Sequence, residues 1–112
     1  MTSAPRLKAG IFVRALIRRA EVEGASAFIV RKGNEEAGAI ILRVATLDGS
    51  SLVLNQARMG DGDLVWARPL GEMVPDAKAA EWCDKQVKFD PDLWIVEIED
   101  RQGRAFVDEP IV

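Results

Sequence analysis

The sequence predicts a two-layer α+β domain, with a mainly antiparallel sheet of four to six strands and two helices in the order α-β-β-β-β-α-β-β. Three observations predict it. Two stretches repeat apolar residues every three to four positions, the period of a half-buried helix. The region between them holds apolar and β-branched runs separated by short glycine-rich turns. One of those turns is Asp48-Gly49, a strong short-range hairpin signal. Strand runs joined by short turns argue for antiparallel pairing, with both helices on one face of the sheet.

The first helix is expected over Leu7–Glu23. Phe12, Leu16 and Ala20 recur at spacing four with Val13 and Ile17 beside them, and Arg14, Arg18 and Glu21 form a narrow polar stripe. Ile11, Ala15 and Val22 widen the apolar arc beyond what a surface helix requires. Gly24 ends the helix. Ala25–Lys32, rich in Phe28, Ile29 and Val30, reads as a strand. Gly33–Gly38 reads as a hairpin turn leading into a second strand over Ala39–Thr46. Ile40, Ile41 and Leu42 make that strand apolar on both faces, which predicts a central position. A two-residue turn at Asp48-Gly49 pairs Val44 with Val53 and Leu42 with Asn55 in the third strand, Ser51–Arg58.

Met59–Asp63 is a loop and Leu64–Arg68 a fourth strand. The second helix starts at Pro75 or Asp76, where proline is tolerated and an acidic side chain complements the helix dipole, and runs to about Val87. Its inner stripe is Ala79, Ala80, Trp82, Cys83 and Val87. After Asp90-Pro91, Leu93–Glu99 alternates as a strand, and Arg104–Val107 is expected to return as a short last strand. Residues 1–112 form one domain in this reading, with 1–6 and 108–112 as loose termini.

Composition narrows the chemistry. The chain has no histidine and no tyrosine, so Ser-His and Cys-His catalysis and histidine metal sites are excluded. A single cysteine excludes an internal disulfide framework and fits a reducing compartment. No run approaches the ~20 apolar residues of a membrane span. The basic start ahead of an apolar stretch hints at a leader peptide, but Arg14, Arg18 and Arg19 interrupt that stretch. The expected location is cytoplasmic. Residues 1–43 carry a net charge of +4 and residues 44–112 a net charge of −7, an asymmetry that favours contact between the two parts or between copies.

The densest acidic segment is Phe89–Asp100, with Asp90, Asp92, Glu97, Glu99 and Asp100 around an apolar strand. Hard cations prefer such oxygen ligands, but the spacing matches no EF-hand loop, so turn-forming aspartates and a solvated strand face are the favoured reading. Lys8, Arg14, Arg18 and Arg19 on the first helix supply charge for phosphates without sequence readout. The overall acidity argues against nucleic acid as a partner. Cys83 lies on an apolar stripe and reads as a small core residue. Trp66 packs beside Leu64 or, if exposed, marks a contact surface, since tryptophan is enriched at interface hot spots.

The blocks Leu7–Arg19 and Phe89–Asp100, with the central Leu47-Asp48-Gly49 turn, resemble a family of short alphaproteobacterial proteins known as domain of unknown function 1491. The resemblance spans nearly the whole chain and is loosest over Ala57–Lys88. It implies a stand-alone bacterial cytoplasmic domain and brings no activity, cofactor or catalytic residue. The expected function is therefore a small non-enzymatic interaction module that binds a protein partner or a second copy. Arg14, Arg18, Arg19 and Trp66 are its candidate surface, with no catalytic residue, cofactor or metal assigned. The alternatives are a carboxylate-dependent or metal-assisted enzyme built on the acidic block, and phosphate or nucleic-acid contact through the first helix.

Overall fold

A computed structural model describes residues 7–112. Helix α1 spans Ala9–Val22 and is followed by β1, Ser26–Arg31. Strands β2 (Ile40–Ala45), β3 (Ser50–Arg58), β4 (Leu64–Ala67) and the two-residue β5 (Val74–Pro75) come next. Helix α2, Asp76–Phe89, leads into β6, Trp94–Glu99. The α+β class and the run of helix, strands, helix and strand are those the sequence predicts.

The sheet runs β1-β6-β2-β3-β4, with β5 added beside β3. β2 is central, as its two apolar faces require. Every pairing is antiparallel except β2 with β6, which is parallel.

Side-chain alternation sorts the core into two layers. Val13, Leu16 and Ala20 of α1 pack with Ile40, Leu42, Val44, Trp94, Val96 and Ile98. Ala79 and Cys83 of α2 pack with Ile41, Val53, Leu93 and Ile95. Adjacent strand residues point to opposite faces, so α1 and α2 lie on opposite sides of the sheet. The expected single helical layer becomes two. The reason is in β2: a strand apolar on both faces needs cover on both.

Three local expectations are corrected. First, the β2–β3 register is one residue off the two-residue turn. Val44 faces Leu52, and Leu42 faces Leu54. Thr46 Oγ1 donates to Asp48 Oδ1 at 2.6 Å and the Ser50 amide donates to the same oxygen, which closes a three-residue loop. Leu47 and Gly49 both take positive φ in that loop. This register puts Leu42, Val44, Leu52 and Leu54 on the α1 face and Ile41, Val53 and Asn55 on the α2 face, and a slip of one would exchange the two sets on β3.

Second, Gly33–Gly38 is not a hairpin turn, because β6 lies between β1 and β2. The segment straddles the start of β6. The Asn34 amide donates to the Asp92 carbonyl, the Trp94 amide to the Ala39 carbonyl, and the Trp94 indole N–H to the Asn34 carbonyl, each at 2.8 Å. Gly33 and Gly38 are needed because a Cβ on either would collide with the Asp92 carbonyl and the Trp94 ring.

Third, Arg104–Val107 forms no strand, and residues 108–112 are not loose. The Asp100 carboxylate accepts from the Arg104 amide and guanidinium, folding the chain tightly, and Phe106 has φ 60. Ala105 then enters the α1-side core. The chain ends beside β4, where the Trp66 amide donates to Pro110 and the Val112 amide donates to Trp66. The expected loose segment 1–6 lies outside the described residues.

Candidate functional site

The acidic block is dispersed. Asp90 and Asp92 precede β6 and Asp100 follows it, so the length of the strand separates them. Asp90 Oδ1 accepts the Asp92 amide, as a turn-forming aspartate does. Glu97 pairs with Arg43 across the parallel register, Nε to Oε1 at 2.6 Å. Asp100 is buried under Arg104, whose guanidinium holds its carboxyl below the usual carboxylate range. Glu99 lies in register with Ser26 at the β1 side. Among the described residues no group of three or more histidine, cysteine or acidic side chains is placed to hold a metal ion.

The basic face of α1 is largely engaged. Arg14 makes two 2.9 Å hydrogen bonds to Glu35 and sits over the Trp94 ring. This pairing, with Lys32 also near, lowers the Glu35 carboxyl to about 2. Arg19 reaches the Phe106 carbonyl and Asp108, and Lys8 pairs with Glu36. Arg18 is exposed. Trp66 is fully buried, with its ring 6.0 Å from Phe12 and its indole N–H on Glu109. It cannot mark a contact surface, and the core reading holds. Cys83 is also buried, and desolvation pushes its thiol upward.

A groove of about 570 Å³ opens between the start of α1, the 36–40 turn and the ends of β3 and β4. Several of its polar side chains already hold partners within the fold. Gln56 accepts the Ile40 amide, Arg58 donates to the Gly62 carbonyl, and Glu109 holds Trp66.

The two sheet edges differ. The β4 edge is closed by the C-terminal segment, with Ile111 bridging Trp66. The outer edge of β1 pairs with no strand among the described residues. Phe28, Ile29 and Val30 on β1 are 44%, 37% and 45% exposed. Ala27 and Ile29 share the α1-side face with Ile98 and Val96, and Phe28 shares the other face with Glu97. An irregularity between Ile29 and Arg31 turns the strand out of register beyond that point. The sequence reading found this strand without giving its edge position. The signal is the run of three large apolar residues between Ala27 and Arg31, which a buried strand shares.

No described helix is long and apolar enough to cross a membrane. No curated protein matches the sequence. Solved structures do. A crystal structure of a DUF1491 family protein from Caulobacter crescentus CB15 is 39% identical with a TM-score of 0.90, covering 96% of this chain and 100% of that one. An NMR structure of a DUF1491 family protein from the same organism is 38% identical with a TM-score of 0.86, covering 97% and 99%. The solution structure of protein Atu0922 from A. tumefaciens is 34% identical with a TM-score of 0.73, covering 85% and 86%. The family model described as "Protein of unknown function (DUF1491)" matches residues 7–108. The chain belongs to the DUF1491 family.

Proposed function

We propose that this chain is a small non-enzymatic protein-interaction module of the bacterial cytoplasm that binds through the outer edge of β1. One observation carries the reading. Three consecutive large apolar side chains stand exposed on an edge strand that pairs outward with no strand among the described residues, while the opposite edge is closed by the C-terminal segment. An apolar strand edge is a template for pairing with another chain, and monomeric folds ordinarily blunt it. The α1 basic face, the acidic block and the groove offer less, since Arg14, Arg19, Glu97, Asp100, Arg58 and Glu109 already hold partners within the chain. A single buried cysteine, Cys83, with no second cysteine in the sequence to pair with, fits a reducing compartment.

The test is a native capture of the tagged chain from its own cell extract, beside Phe28→Lys, with bound proteins, nucleic acids and metals quantified together. A stoichiometric protein retained by the wild type and lost with Phe28→Lys is expected. Recovery of both forms alone, carrying a metal or small molecule, would overturn the interaction reading in favour of an enzyme.

A further inference from the structure

We infer that the occupant of the β1 edge is a second copy of this chain, paired antiparallel with its own β1 into one sheet that continues across a two-fold axis. The inference rests on the interaction reading above and adds the identity and direction of the partner.

Backbone chemistry sets the kind of occupant. An edge strand presents alternate N–H and C=O groups that only another extended segment satisfies in series. Charge selects the direction. Glu21 and Glu23 precede the strand, and Glu99 lies beside its first residue, Ser26. Arg31 ends it and Lys32 follows. The strand is thus flanked by acidic groups at its start and by basic ones at its finish. An antiparallel copy lays each end on the opposite sign, whereas a parallel copy sets like on like. Within the chain, Arg31 is turned inward to the Pro91 carbonyl and Lys32 reaches Glu35 at 3.4 Å while staying exposed. Lys32 is therefore the cation offered to a neighbour. Arg104, near Glu23, is held by Asp100.

Side-chain alternation fits the same axis. A two-fold normal to the sheet keeps like faces together, so residues of equal parity oppose each other. Centred on Phe28, the pairing sets Phe28 against its symmetry mate and Ala27 against Ile29, large against small. The break in register after Ile29 leaves Ala27, Phe28 and Ile29 as the regular ladder, with Lys32 beyond it opposite Gly24 and beside Glu23 of the mate, so the dimer is weak and concentration-dependent.

Sedimentation equilibrium of the purified chain, from dilute solution to about 1 mM, tests this. The expected mass rises with concentration from 12.3 kDa toward twice that value. Phe28→Lys, at an exposed position and checked for fold by circular dichroism, should stay monomeric. Glu23→Lys and Lys32→Glu should each weaken dimerisation by roughly fivefold at low salt, and the double variant should recover most of that loss. Three results overturn the inference: a chain monomeric throughout, a dimer indifferent to folded Phe28→Lys, or a charge swap that does not recover. A monomeric chain that still captures a protein through Phe28 overturns the second copy and leaves the interaction module standing. A monomer that captures nothing overturns both.

Discussion

The indole N–H of Trp66 donates to Glu109 Oε1 across 3.0 Å, and the backbone of the same tryptophan pairs with Pro110 and Val112. One residue thereby anchors the C-terminal segment by side chain and main chain together. The segment in turn covers the outer edge of β4. Deleting residues 109–112 leaves a buried indole N–H unpaired and uncovers that edge. The expected cost is about 1–3 kcal/mol, read from urea unfolding, with new self-association read from sedimentation. An unchanged urea midpoint would show that the tail does not hold Trp66.

Gly33→Ala or Gly38→Ala drives a methyl group into the Asp92 carbonyl and the Trp94 ring. Neither glycine has a positive φ, so the cost is steric. Each should lose about 1–3 kcal/mol. Gly60→Ala meets nothing within 4 Å and also lacks a positive φ. It should change stability by less than about 0.5 kcal/mol. Equal effects at the three sites would contradict the close packing of the 33–38 segment on Trp94.

Arg43 and Glu97 face each other between the central strand and β6, with side chains 18% and 16% exposed. Arg43→Met strands the Glu97 carboxylate in partial burial. The full cost of breaking a buried pair is about 3–5 kcal/mol, and residual solvent screening reduces it to about 1–3 kcal/mol here. Arg43→Met with Glu97→Leu should recover most of the loss, because no lone charge remains. A double variant as unstable as the single one would mean that the pair itself contributes the stability.

Glu35 gives a pH signature. Arg14 holds its carboxyl at about 2, below the ordinary value of 4.5. A lowered folded-state value means the unfolded chain takes up the proton first as pH falls. The contribution of this pair is therefore complete above about pH 4.5 and lost as pH falls through about 2. Both side chains are substantially exposed, so the effect is small and salt-sensitive. Glu35→Gln should lower the melting temperature slightly at pH 7, with the difference from wild type closing by about pH 2. A difference constant from neutral to acid would rule out the ion pair as its cause.

Local pattern made the helices and the middle strand legible. The spacing of Phe12, Leu16 and Ala20, with Val13 and Ile17 alongside, locates the inner side of α1, where Val13, Leu16 and Ala20 are buried and Phe12 and Ile17 partly so, and Ile40–Leu42 announces a strand covered on both sides. Strand order was not legible. β2 lies beside β6, about fifty positions along the chain, and no local signal encodes that pairing. The hidden insertion of β6 is why Gly33–Gly38 reads as a hairpin turn and why both helices seem to share a face. It also conceals the significance of Phe28–Val30. The same three residues are core in an inner strand and a contact surface at an edge. The contact-surface reading of Trp66 failed in the opposite direction. Its burial depends on Phe12 and on Glu109, both distant in sequence.

Residue-resolved amide hydrogen exchange across Ser26–Arg31 tests the open β1 edge most directly. In dilute solution the outward amides of β1 should exchange rapidly, while Trp66 and Val112 at the covered edge stay protected. Raising the protein concentration, or adding a captured partner, should slow β1 selectively. Protection of every β1 amide in dilute solution, or protection appearing at α1 or the groove instead, would contradict binding through this edge.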